Sequence, residues 1–239
     1  MAISILRREY DHHTEQVHAP GGAIIRDLML GLNDGMVASF AVTSGLGGAF
    51  NSQSVIVMAG LAETLGGTVS MGLAAFISAR SQVEFFKSEI EREGVEIERW
   101  PEREREEVRS IYRTKGFTGD LLDQIVSHIT ADPERWRKVM MSDELGFSGD
   151  FDSPLKSAAV VGSSYLVGAI IPVLPYFFLP PARGIFASAL IAVMALFIVG
   201  ALKTLITSRS WWRSGLESMM TGIAAASVTF SAGRWFAAR

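Results

Sequence analysis

Two carboxylates stand where carboxylates are costly. Asp34 lies in GLNDGM and Glu63 in AGLAETLGG, each well inside a long apolar stretch. An unpaired carboxylate at the centre of a bilayer costs about 2.5–3.5 kcal/mol on insertion scales, so such groups are kept for ion or proton work. The alternative reading is a structural hydrogen bond to a neighbouring helix. Met71 follows Glu63 by eight residues, about two helical turns, so the two point the same way. Sulfur beside carboxylates moves metal preference from Mg, Ca and Mn toward the later transition metals. By spacing alone, a methionine on such a helix reads as packing. Glu217 is placed to form a structural ion pair with Arg213 at (i, i+4).

Glutamates gather again between residues 81 and 150. Glu89, Glu93 and Glu96 share one helical face at i, i+4 and i+7, and Glu104 and Glu107 share another at i, i+3. Like charges at these spacings repel. Two such faces packed together call for counter-ions, which divalent cations would supply. Interleaved Arg92, Arg99, Arg103 and Arg105 support the other reading, a solvated charged hairpin, and the pattern leaves both open. Met140 and Met141 precede Glu144 by four and three residues, again setting sulfur beside a carboxylate. A di-iron carboxylate enzyme would use Glu-x-x-His pairs on facing helices. The one histidine of this stretch, His128, has Ile125 at that spacing, so oxidase chemistry has no support there. His12, His13 and His18 lie in a polar tail, read as disordered with weak metal capture as the alternative.

The elements that position these groups follow from an uneven composition. The 239 residues are 49% hydrophobic and 20% charged, yet residues 81–150 alone carry 17 acidic and 11 basic side chains. An acidic module inside an apolar remainder argues for cations and against nucleic acid. The absence of cysteine excludes disulfides, iron–sulfur ligation and thiolate zinc sites. The N-terminal residues lack the uninterrupted apolar core of a signal peptide. A crossing helix needs about 20 apolar residues, and five segments qualify, at 24–50, 54–79, 157–182, 184–202 and 214–233. Core helices of a soluble protein would be shorter and amphipathic. The expected fold is therefore all-α: a polytopic membrane protein of five transmembrane helices. A helical insert lies between the second and third.

The expected organisation is a tail and helices 1–2 over 1–80, an acidic helical domain over 81–153 for which metal binding is the cation reading, and helices 3–5 over 154–239. Lys203, Arg209 and Arg213 make the 203–213 loop basic, and Arg7, Arg8 and Arg26 mark the N-terminal side. Short basic loops stay in the cytoplasm, so the N-terminus and 81–153 are expected there. Within the insert, 80–98 continues the second crossing. Trp100-Pro101 starts the next helix, Thr118 caps a third through 130, and Asp132 caps a fourth to about 145. Pro172 and Pro175 are expected to kink or unwind the third crossing.

RDLMLGLNDGMVASFAVTSGLGGAF, then AGLAETLGGTVSMGLAAFIS, then the acidic insert, then IIPVLPYF, resemble in order the vacuolar iron transporter family. The resemblance covers about residues 20–237. It implies a homodimer in a lipid bilayer that exchanges Fe(II), or another divalent ion such as Mn(II), Co(II) or Zn(II), for protons. Metal is then the substrate and no prosthetic group is involved. It also implies a transport pathway through Asp34, Glu63 and Met71. The metal ligands it implies in the insert are Glu93, Glu96, Glu104, Glu107, Met140, Met141 and Glu144. The membrane would be the plasma (inner) membrane in a prokaryote and a vacuolar-type membrane in a eukaryote. A membrane-anchored metal buffer without transport is the alternative.

Overall fold

The structure, a computed structural model, describes residues 22–144, 146, 153–204 and 210–239. His12, His13 and His18, Arg7 and Arg8, and Arg209 therefore lie outside the described residues. So does most of the turn expected at 146–150.

Every regular element among the described residues is a helix. They are α1 (Gly22–Ala49), α2 (Gln53–Arg99), α3 (Pro101–Thr114), α4 (Gly119–Thr130), α5 (Pro133–Asp143), α6 (Pro154–Val173), α7 (Pro175–Phe178), α8 (Pro181–Leu202) and α9 (Trp211–Ala237). Two compact units emerge, and the division falls inside α2: residues up to Ile77 join those from Pro154 onward, while Ser78–Ser153 form the other.

In the first unit, α2, α6 and α8 are long and apolar enough to cross a membrane. The 28-residue α1 and 27-residue α9 have the length but carry more polar side chains. Small residues let these helices close up. α1 packs on α6, α8 and α9. A Cβ at Gly35 would meet the Tyr165 carbonyl, and one at Gly168 would meet the Leu32 carbonyl. Phe40, Ala192 and Ala226 make the small buried cluster of α1, α8 and α9. Outward, Met58, Leu65, Val69, Leu73 and Ile77 of α2 and Phe186 and Leu190 of α8 are exposed. So large an apolar exterior is a liability in water and the expected surface in lipid.

The third crossing departs from the single stretch expected at 157–182. α6 stops at Val173, the short α7 follows, and α8 starts at Pro181 rather than 184. With α6 ending at Val173 and α7 at Phe178, the last carbonyls of each have no helical N–H to accept from. The Ser188 hydroxyl donates to the Pro172 carbonyl (2.7 Å), and the Gln53 side-chain amide donates to the carbonyls of Tyr176 (2.7 Å) and Phe177 (3.3 Å). These bonds make the break tolerable inside an apolar medium.

The second unit packs α3, α4 and α5 around Val108, Leu122, Val126, Ile129, Trp136 and Met140. Pro101 opens α3 directly after α2 ends at Arg99. Asp132 caps α5 by accepting the Arg135 N–H at 2.7 Å. Thr118 stands at the cap position of α4 but makes no side-chain cap bond. The left-handed turn at Gly119 (φ 60°) makes that entry instead.

Candidate functional site

The reversal at Trp100-Pro101 folds one glutamate face against the other. Glu93 and Glu96 of α2 and Glu104 of α3 each offer a carboxylate oxygen, and these oxygens lie within 4.8 Å of one another. Carboxylates sharing one ion at about 2.0–2.6 Å can stand up to roughly 5 Å apart, so the three oxygens suit a single cation. Glu93 is 2% exposed and Glu104 1%. Oε1 of Glu93 is buried with neither a hydrogen-bond nor an ion-pair partner among the described residues, while Oε1 of Glu104, also buried without a hydrogen bond, has only the Arg103 guanidinium at 3.4 Å. Buried, unpaired carboxylate oxygens are expensive, which makes this pocket a demand for positive charge.

The arginines answer that demand only in part. Arg92 pairs with Glu89 at 2.8 Å, and Arg103 approaches Glu104 at 3.4 Å and Glu96 at 4.0 Å. Glu93 takes part in none of the ion pairs among the described residues. Burial pushes its carboxyl up to about 7, with Glu144, Glu104, Glu96 and Glu107 adding repulsion in that order. Burial raises Glu104 as well, reinforced by Glu107 and opposed by Arg103. Glu144 is raised by burial, then by Glu107 and Glu104. Glu107 and Glu144 thus share the field of the central three. Met140 and Met141 are buried on α5, just before Glu144, and Met140 belongs to the apolar cluster.

A folded-state carboxyl raised above its ordinary 4.5 favours the folded state when protonated. That stability is fully present below about pH 4.5 and is lost as pH rises toward 7. The 78–153 fragment without metal should therefore be less stable at pH 8 than at pH 5, by up to about 3 kcal/mol from Glu93. Urea unfolding followed by the fluorescence of Trp100 and Trp136 in EDTA measures this. Stability that climbs from pH 5 to pH 8 in the metal-free fragment contradicts it.

In the other unit, Asp34 and Glu63 come together with a residue from the third expected crossing. The Tyr165 hydroxyl of α6 donates to one oxygen of Glu63. The second Glu63 oxygen is buried and has no hydrogen-bond partner. Asp34 lies close enough to influence both groups electrostatically. Asp34 itself is exposed on the surface of the protomer. It opens on a cavity of about 490 Å³ that Arg26, Asn33, Lys203 and Ser218 also line. The Asn33 carbonyl oxygen is buried there without a partner. Met71 is half-buried two turns beyond Glu63 on α2.

Some residues carry more than the sequence reading gave them. Asp27, two turns before Asp34, is buried, accepts the Ser157 hydroxyl across to α6 and pairs with Arg26 at 3.0 Å. Its presence in an apolar stretch was the available signal. Tyr165 had none, being an ordinary residue in a charge-free segment. Glu217 makes no ion pair with Arg213 among the described residues; the Arg213 guanidinium lies over the Trp212 ring at 5.3 Å instead. Two Glu-x-x-His spacings, Glu9/His12 and Glu15/His18, fall in the tail outside the described residues.

The chain is 36% identical over 222 residues to vacuolar iron transporter 1 of Arabidopsis thaliana, covering 92% of this chain and 88% of that protein. It is 34% identical over 226 residues to vacuolar iron transporter 1 of Eucalyptus grandis, covering 94% and 90%. Protein CCC1 of Saccharomyces cerevisiae is 28% identical over 187 residues, covering 76% and 57%. The family model of the VIT family matches residues 25–234. That span holds both carboxylate groups and every helix that positions them, and the chain belongs to the VIT family.

Proposed function

We propose that this protein moves Fe(II) out of the cytoplasm in exchange for protons, with Mn(II), Co(II) and Zn(II) as further substrates. The observation that carries the reading is the membrane pair: Glu63, with one buried oxygen unpartnered, within electrostatic reach of Asp34, which lines a cavity. Neutral, a carboxylate tolerates lipid; ionised, it needs a cation. A divalent ion stabilises the ionised form and releases protons, and protons from the far side release the metal. Competition at one site gives exchange without a separate proton channel. The insert carboxylates Glu93, Glu96, Glu104, Glu107 and Glu144, with Met140 and Met141, gather the ion in the cytoplasm. Met71, on the insert-facing side of Glu63 along α2, receives it before the carboxylates do. The iron transporter names of the relatives support the choice of substrate.

Five crossings with the N-terminus and 81–153 in the cytoplasm follow from the basic loops. The membrane is vacuolar-type in a eukaryote and plasma membrane in a prokaryote. The exposure of Asp34 on the single protomer supports a homodimer whose pathway runs between protomers. Proteoliposomes loaded at acid pH and diluted into neutral buffer test the reading. Fe(II) should accumulate inside several-fold faster than in vesicles without the gradient, with Mn(II), Co(II) and Zn(II) compared in parallel. Flux indifferent to the gradient removes proton coupling. Metal bound by the insert with no flux at all favours a membrane-anchored buffer.

A further inference from the structure

We infer that Tyr165 is a positioning residue for ion capture: its hydroxyl fixes one Glu63 oxygen and leaves the other free for the cation. The inference rests on the reading of Glu63 as a pathway carboxylate. Tyr165 is 3% exposed and stands where α1, α2 and α6 meet. On the α2 side its ring lies against Gly67, one turn after Glu63, where a Cβ would enter the ring. On the α1 side its carbonyl occupies the space a Cβ of Gly35 would need, next to Asp34. The backbone is fixed against α1 and the ring against α2, so the hydroxyl is delivered to a set place.

The residue type matters. A lysine or arginine in this position would neutralise Glu63 and compete with the metal. A phenol donates one hydrogen bond and leaves the carboxylate its full charge. The oxygen it holds is no longer free to rotate, and the other is buried with no hydrogen-bond partner. An ion then meets a ligand already oriented, and less ordering is left for the moment of binding.

The test uses the full chain in proteoliposomes with Fe(II) as the probe. Tyr165→Phe removes one oxygen and keeps the ring against Gly67 of α2. Its apparent KM should rise about ten-fold or more, as loss of a hydrogen bond to a charged group implies, while Vmax stays within about two-fold. Gly67→Ala keeps the hydroxyl but displaces the ring, and the same rise in KM is expected. An unchanged KM in Tyr165→Phe overturns the inference, as does a fall in Vmax alone. Should Tyr165→Phe fail to assemble, the KM of Gly67→Ala decides, and an unchanged value there overturns it. Glu63→Gln measured beside them separates the two levels. If it carries no Fe(II) while Tyr165→Phe behaves as the unmutated protein, the pathway stands and the positioning role falls. If Glu63→Gln transports normally, both fall.

Discussion

Asp34→Asn should reduce Fe(II) flux at least about 100-fold, the factor that corresponds to roughly 3 kcal/mol of lost ion stabilisation. The substitution keeps the size and shape of the side chain and removes only its capacity to ionise. The cavity it lines already contains an amide, Asn33, whose carbonyl oxygen has no partner. After the change two amides face that space and Glu63 is left as the only carboxylate of the pair. One anion cannot neutralise a divalent ion in an apolar medium, and the uncompensated charge is costly there. The insert is a separate compact unit, so metal binding at Glu93, Glu96 and Glu104 should survive. Asp27→Asn is the informative companion. Asp27 is tied to Ser157 and Arg26, so its loss should loosen α1 against α6 and lower thermal stability, with the pH dependence of the remaining flux intact. Fe(II) uptake by Asp34→Asn at the unmutated rate would refute the mechanism.

How far the sequence carries such arguments differs from residue to residue. Asp34 and Glu63 are legible because carboxylates conflict with their apolar surroundings, and that conflict is local. Tyr165 is not, because its partner lies 102 residues away and nothing near it conflicts. The hairpin is legible from Trp100-Pro101, since proline opens a helix after the chain has broken. Which glutamates end up unpaired is not. Arg92 sits between Glu89 and, more distantly, Glu96, Arg103 leans on Glu104 and Glu96, and Glu93 is left over. Those choices depend on how α3 sits against α2, which spacing alone does not give. The proline pair in IIPVLP predicts a disturbed helix, but the repair by Ser188 and Gln53 involves residues from two other helices. Of the five expected crossings, α2, α6 and α8 have both the length and the apolar composition. α1 and α9 are long but more polar, and α1 is where Asp27, Asn33 and Asp34 sit.

Glu93→Gln should make the metal-free insert more stable and its metal binding weaker. The two effects share one cause. Glu93 is buried, outside every described ion pair, and surrounded by Glu144, Glu104, Glu96 and Glu107. At pH 8 without a cation its charge works against folding, and replacing one member of a repelling cluster by a neutral isostere relieves it. The gain should be about 1–3 kcal/mol at pH 8. It should shrink to under about 1 kcal/mol near pH 5, where folded Glu93 is already protonated. A glutamine at this position can also donate to the neighbouring carboxylates, which no ionised glutamate can do. With metal present the balance reverses. The ion loses a charged ligand from a group of three whose oxygens lie within 4.8 Å, and affinity for divalent transition metals should fall at least about ten-fold. Urea unfolding in EDTA at pH 5 and pH 8, with calorimetric titration of the same 78–153 fragment, measures both arms. Glu98→Gln, on the exposed side of the same helix, is the control and should move neither. A destabilised metal-free Glu93→Gln fragment at pH 8 would show that Glu93 serves the fold. Undiminished affinity would take it out of the ligand set. The joint outcome expected, more stable and less competent, is the trade that a site strained for its ligand makes.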